Sequence, residues 1–480
     1  MRYFILIPAI CILTASLALA QWEPDVRLTN DSAGSCLPTS SGWGVGASGS
    51  MVHVVWEESR DDNWEIYYRR STDRGVNWGP DTRLTSDSAM SYLPTVAVNG
   101  SAVHVAWRDS RDRGIEVYYK RSTDDGATWS ADTRLTDSAR VFQGVSAAVS
   151  GSMVHVAWDD LRSGDAEIHY VRSTDGGATW GEDVRLTNDS YFSYNPSVAA
   201  SGSVVLVVWE DRRAGYDVYC RRSTDGGASW GADTRLSDDS TSSFQPSVAM
   251  TGSLVHVAWH GYILVGYKRS TDGGATWGPD IRLTEGGHVD NHLSAAVSGN
   301  TAHVVWQDTR GGDRDLYYLR STDNGATWSA ETSLTNDTCD NFAPSVAAGG
   351  DGVHVVWRDD RDGVHEIYYK RDPTGAVVGT EEAMKGEGAS VNRGPTIVRG
   401  VLVLPRDMTC LGHDPDSPGG IGSCPALLQD AFGRKVMDLL PGPNDVRHLA
   451  PGVYFVRAVS GEPLAVGCER PALSRVVVIR

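Results

Sequence analysis

The chain is poor in cysteine, in helical signal and in positive charge. Seven cysteines in 480 residues, six once a leader is removed, allow at most three disulfides. Residues 22–378 hold no sustained helical period, and the tandem glycines there would weaken a helix, so a helical bundle is excluded. After residue 20 no apolar run approaches the length of a membrane-crossing helix, which argues against an integral membrane protein. Lys and Arg number 43 against 61 Asp and Glu, a net charge of −18. That balance argues against nucleic acid and anionic lipid as partners.

What the chain does have is repetition. Ser-x-Asp-x-Gly-x-Thr-Trp, with Asn or Ser sometimes replacing Thr, recurs from Ser71 to Trp78, Ser122 to Trp129, Ser173 to Trp180, Ser223 to Trp230, Ser270 to Trp277 and Ser321 to Trp328. A Val-His-Val-x-Trp segment and its variants end at Trp56, Trp107, Trp158, Trp209, Trp259, Trp306 and Trp357, at intervals of 51, 51, 51, 50, 47 and 51. Units of this size cannot bury a core alone and must stack.

Each unit reads as four strands. In the fourth these are Ser197 to Ala200, the β-branched run Val204 to Trp209, the alternating Asp217 to Arg222, and Ser229 to Leu236 after a glycine turn. Four antiparallel strands make a propeller blade. The segment Trp22 to Thr29 copies Trp78 to Thr85, a fourth strand, whereas the seventh unit decays after Arg371 into Asp372-Pro-Thr-Gly375. The N-terminal strand is therefore expected to complete the last blade and close a seven-membered ring, removing free sheet edges. Cys36 and Cys339 occupy corresponding loops of blades one and seven, where a disulfide would latch the closure.

The eight-residue motif resembles the Asp-box of sialidases and related propellers. The resemblance implies a turn between third and fourth strands on the face away from substrate, so Asp73, Asp124, Asp175, Asp225, Asp272 and Asp323 are assigned to structure. The expected fold is all-β: a seven-bladed propeller over 21–378, a linker over 379–394 and a small β-sandwich domain over 395–480. Residues 1–20, with Arg2, an apolar run and Ala18-Leu-Ala20, read as a secretory signal peptide. Gly433-Arg-Lys-Val436, Leu449 to Arg457 and Val476 to Arg480 resemble the C-terminal sorting domain of type IX secretion substrates, which implies contact with that export machinery. The expected location is secreted or cell surface.

For chemistry, the repeat argues mostly against itself. A Trp-x-Asp-x-Arg loop follows the second strand in five units, with Glu58 and Arg60 in the first; a feature copied blade by blade reads as an internal brace. The histidines at 53, 104, 155, 256, 303 and 354 share a position that is Leu206 in unit four, so they read as packing residues. The repeat fails most around blade five. There His260-Gly-Tyr-Ile-Leu-Val-Gly266 replaces the Asp-Arg loop, and Glu285-Gly-Gly-His288-Val-Asp290-Asn-His292 breaks the next inter-blade loop. His260, Tyr262, His288, Asp290 and His292 are thus the candidate binding or active face, suited to a general base beside a tyrosine. The Phe/Tyr-Arg-Ile/Leu-Pro sequence of working sialidases is missing, since Tyr92-Leu-Pro lacks the arginine. These features point to a binding module for glycan or another extracellular polymer, with a divergent sialidase-type exo-glycosidase as the alternative and no cofactor or metal required.

Overall fold

The computed structural model describes residues 22–374, except 31–34, 37–43, 61–62, 113, 189, 238–241, 285, 287–288 and 350–351. Beyond 374 it describes only the backbone of seven strands. The chain separates into two compact units, Met1–Val378 and Gly379–Arg480. The first is an all-β ring of seven blades. In blade two the strands are Ser91–Asn99, Ala102–Asp109, Glu116–Ser122 and Thr133–Arg134, hydrogen-bonded in that order from the axis outward. The other blades repeat this plan, and the fourth strand is always two residues long.

Blade seven is completed by the N-terminal strand: Val26 and Arg27 pair antiparallel with Tyr369 and Tyr368. The closing seam is reinforced where Arg371 grips Glu23 and Thr29 donates to Glu366. Cys339 is half-buried and makes no disulfide with a described residue; the expected latch to Cys36 rests on a side chain that is not described. Cys36 itself pairs with Glu57 in a short strand, its side chain lying outside the described residues.

Between blades the core is divided into layers. Each second strand sends alternate residues to opposite faces of its blade, so Val54 and Trp56 pack toward blade seven while Val55 packs toward blade two. All seven second-strand tryptophans are almost wholly buried. Seven such clusters occur among the described residues, one for each blade interface.

The repeated eight-residue turns lie at the end of the blade where third strand passes to fourth. In each, the Asp Oδ1 accepts from the Ser hydroxyl and from the amide four residues on from the Asp, as Asp124 does from Ser122 and Thr128. The Ser hydroxyl in turn accepts the amide of the fifth-position glycine, Gly126. That glycine has φ of 77°, and a Cβ there would lie 1.9 Å from the Tyr68 hydroxyl of the preceding blade. These hydrogen bonds hold the turn carboxylates below the usual range.

The histidines explain what presses on that glycine. In six blades the second-strand histidine shares a hydrogen bond of 2.6–2.8 Å with a third-strand tyrosine hydroxyl, from His53 and Tyr68 to His354 and Tyr369. The tyrosine ring meets the turn tryptophan of the next blade edge-on, as Tyr68 meets Trp129. In the fourth blade both partners change together, to Leu206 and Cys220, and the Leu206 side chain takes up the space against Gly274.

In the C-terminal unit, strands Thr396–Val398, Ser474–Val478, Gly452–Ala458, Ala426–Asp430 and Lys435–Leu439 form one sheet in that order. Val401–Leu404 and Gly442–Asp445 form a separate antiparallel pair. The leader over 1–20 and the linker over 379–394 lie outside the described residues.

Candidate functional site

The face opposite the repeated turns carries the ends of the second strands and the starts of the first. In six of the seven blades the second strand there ends in the buried tryptophan, a variable residue and an acid. In six blades the tryptophan Nε1 donates to that acid, from Trp56 and Glu58 to Trp357 and Asp359. The acid then holds the loop arginine, as Asp109 holds Arg111. In five of these blades the guanidinium lies 4.2–4.4 Å over a third-strand tyrosine ring. The Asp-Arg motif is thus an internal brace.

The variable residue does something different: it holds the next blade. In five blades the inner strand opens with a bulge holding a non-glycine residue at positive φ: Leu93, Asn195, Gln245, His292 and Ala343. Non-glycine residues pay for this conformation, so something must hold them in it. Glu57 accepts from the Leu93 amide, Asp159 from Asn195, Glu210 from Gln245, and Gln307 from Ala343. Burial pushes these carboxyls up, Glu57 to about 7 and Asp159 and Glu210 above their ordinary range.

Blade five departs from both arrangements. His260 takes the variable position, and the amide of the next bulge, His292, is instead accepted by Gln245 Oε1 at 3.0 Å. Gly261 follows where the others have the acid, and Gly266 stands where they have the aromatic ring. A Cβ at Gly266 would lie 2.3 Å from Trp259 Nε1, and that indole N–H has no protein acceptor. The shortened loop closes through a hydrogen bond from Gly261 to Leu264.

His260 stacks on Phe244 with ring centres 5.3 Å apart and lines a cleft of about 490 Å³. The cleft is centred on blades four and five. Tyr194, Asn195, Glu210, Arg212 and Tyr216 form one wall, and Phe244, Gln245, His260 and Tyr262 the other. Its size suits a small ligand of several rings. Arg212 lies 4.7–5.6 Å from the rings of Phe192, Tyr194 and Tyr216, so its flat faces hold aromatic side chains in place. Burial and the neighbouring Glu210 hold the Tyr194 phenol above its usual range. Tyr262, 68% exposed, stands at the lip and touches Phe244 edge-on.

Of the five candidate residues, the structure brings His260 and Tyr262 together in the cleft. His292 is held by Gln245, itself a cleft residue, while His288 and the side chain of Asp290 lie outside the described residues. Among the described residues no group of three or more His, Cys, Asp or Glu side chains is arranged to hold a metal. Sequence reasoning missed Tyr194, Glu210, Arg212 and Phe244. Their signal was present as variation: the residue after each tryptophan and the pair at each inner-strand start differ from blade to blade in an otherwise copied unit.

No protein-family model matches this chain, and no curated protein matches it. Among solved structures, a polysaccharide lyase superposes with a TM-score of 0.50 at 9% identity, covering 74% of this chain and 100% of that one. A Trypanosoma rangeli sialidase aligns at 17% identity with a TM-score of 0.40, covering 61% of this chain and 56% of its own length. This chain therefore spans little more than half of that enzyme. An α-L-arabinofuranosidase of Fusarium graminearum aligns at 13% identity with a TM-score of 0.41, over 58% of this chain and 91% of its own. The seven blade sheets make this chain an all-β, seven-bladed propeller, and its structural neighbours include sialidases.

Proposed function

We propose that the propeller is a carbohydrate-binding module of a secreted or cell-surface protein, and that its ligand enters the cleft of blades four and five. The observation that carries this reading is the wall of Tyr194, Tyr216, Phe244 and Tyr262 around a few inward polar groups, Glu210, Asn195, Gln245 and His260. A sugar ring has an apolar C–H face and a hydroxyl rim, which is the pattern these side chains complement. The repeated turns belong to the Asp-box type, and the C-terminal unit to a sorting β-sandwich of the type IX route, which accords with the leader sequence.

A glycan array probed with the full chain tests this. Tyr262→Ala is expected to weaken the strongest hit about tenfold, roughly 1.4 kcal/mol, with thermal melting unchanged because Tyr262 is largely exposed. An array without hits ends the reading. A second reading, glycoside hydrolysis, draws on Glu210: a carboxyl held above its usual range beside a tyrosine is suited to general acid work. Turnover of fluorogenic glycosides, a sialoside included, that is abolished in Glu210→Gln would favour it.

A further inference from the structure

The exposed apolar side chains of this propeller are not spread evenly. On the face that holds the cleft, the large ones are Met90, Phe142, Tyr191, Phe192, Tyr262 and Ile263, each between 36% and 68% exposed. All belong to blades two to five. The described residues of blades six, seven and one contribute none there. In a chain built by copying one unit, an asymmetry of this kind marks use, since repetition alone would distribute such residues around the ring.

These side chains also continue the cleft. Phe192 is held against Arg212, a cleft residue, and its carbonyl accepts the Arg212 amide. Phe142 precedes Gln143, which lines the cleft, and Tyr262, followed by Ile263, forms its opposite lip. A ligand small enough to fit within the cleft would leave Phe142 and Tyr191 uncovered. Charge narrows the ligand further. Glu210 and Arg212 are the cleft's acidic and basic residues, Arg212 is occupied by three aromatic rings, and the whole chain carries −18. Nothing in that arrangement favours a polyanion, which the net charge repels.

We infer that the ligand is an internal stretch of a neutral polysaccharide, running from the lip at Tyr262 through the cleft and across Tyr191 and Phe142 toward blade two. This rests on the carbohydrate reading above and adds chain length, neutrality and direction. Sugars in the cleft meet Phe244 and Tyr216, and sugars beyond it lie on the exposed rings. Such a surface gains affinity with each further unit covered, and it has no need of a chain end.

The test uses the full chain and two oligosaccharide ladders from disaccharide to octasaccharide, one of neutral β-glucans, mannans and arabinans and one containing uronates, measured by calorimetry. The expected result is a neutral ladder whose affinity rises at least tenfold with length. The double variant Phe142→Ala/Tyr191→Ala should flatten that rise while leaving the shortest binders unchanged, and Tyr262→Ala should weaken every length. Both variants alter exposed side chains, so melting curves should match the parent. Tighter binding of the uronate ladder, or affinity independent of length, overturns the inference while leaving carbohydrate binding intact. Silence from both ladders removes the carbohydrate reading and this inference with it.

Discussion

Six of the seven blade interfaces are clasped by a buried histidine and tyrosine, whereas the interface between blades four and five is closed by Leu206 and Cys220. On the opposite face the same neighbourhood differs again, because blade five lacks the acid, arginine and aromatic ring that brace the others. The two departures lie at different ends of the strands, yet both fall in blades four and five, the blades that carry the aromatic cleft. The regular region keeps its polar groups for its own bonds. The irregular region leaves the Trp259 indole N–H without an acceptor and gathers aromatic residues beside His260.

The largest test of this contrast is acid. Burial first, and the third-strand arginine paired with each histidine second (Arg70 for His53), hold His53, His104, His155, His256 and His354 down to about 4 and His303 to about 3. A folded-state value below the ordinary one means that the unfolded chain binds the extra protons. Stability is then complete above about pH 6.5 and falls as pH drops toward 4. Each histidine loses on the order of 3 kcal/mol by pH 4, and six together exceed the stability of a typical domain, about 5–15 kcal/mol. Glu57, raised to about 7, opposes one of the six. The turn aspartates, held low, act only below the ordinary carboxylate range. Melting temperature followed from pH 7 to 4 should collapse steeply, with the interface of blades four and five contributing nothing. A flat profile would show that the clasps do not carry the ring.

How much of this could be read in the sequence depends on what kind of fact it was. The blade count and the closure by Val26 and Arg27 were legible because the Trp22 to Thr29 copy and the decay after Arg371 are both linear patterns. The turn geometry was legible for the same reason. The role of the histidines was half legible: Leu206 marked the position as packing, but the covarying Cys220 was needed to see a clasp. His260 and Tyr262 stood out as breaks in the repeat. Glu210, Arg212 and Tyr194 did not, because their blade keeps the Asp-Arg loop and what distinguishes them is the bulge at Asn195 and Gln245, a three-dimensional feature. The Cys36 to Cys339 pairing was legible only as two corresponding loops, and the Cys36 side chain lies outside the described residues.

A pair of substitutions on the cleft face gives the next effect in size. Asp109 is buried, accepts from Trp107 at 2.9 Å and holds Arg111, so Asp109→Ala should cost about 3 kcal/mol in chemical denaturation and leave sugar affinity unchanged. His260 stacks on Phe244, and His260→Phe preserves that packing; its cost should stay under about 1.5 kcal/mol while affinity falls. Equal destabilisation by the two would return His260 to the status of a brace and dissolve the contrast between blade five and the rest.

The smallest expected effect comes from making the odd interface regular. Leu206→His alone buries an imidazole against Cys220 with no hydroxyl to meet it, and Cys220→Tyr alone drives a phenol toward space that Leu206 fills against Gly274. Each should destabilise by about 1–2 kcal/mol. Together they recreate the pair found in the other six blades, with Trp277 placed for the tyrosine ring to meet. The double-mutant cycle should therefore show a favourable coupling of about 1–3 kcal/mol, returning the protein to within about 1 kcal/mol of its parent. The restored clasp also adds a seventh acid-sensitive group, so the double variant should melt at lower temperature than the parent at pH 5 while matching it at pH 7. Additive losses would mean that the Leu206 and Cys220 interface has a backbone spacing of its own. In that case the irregularity of blades four and five is built into the ring, and the cleft above it is shaped by the same offset.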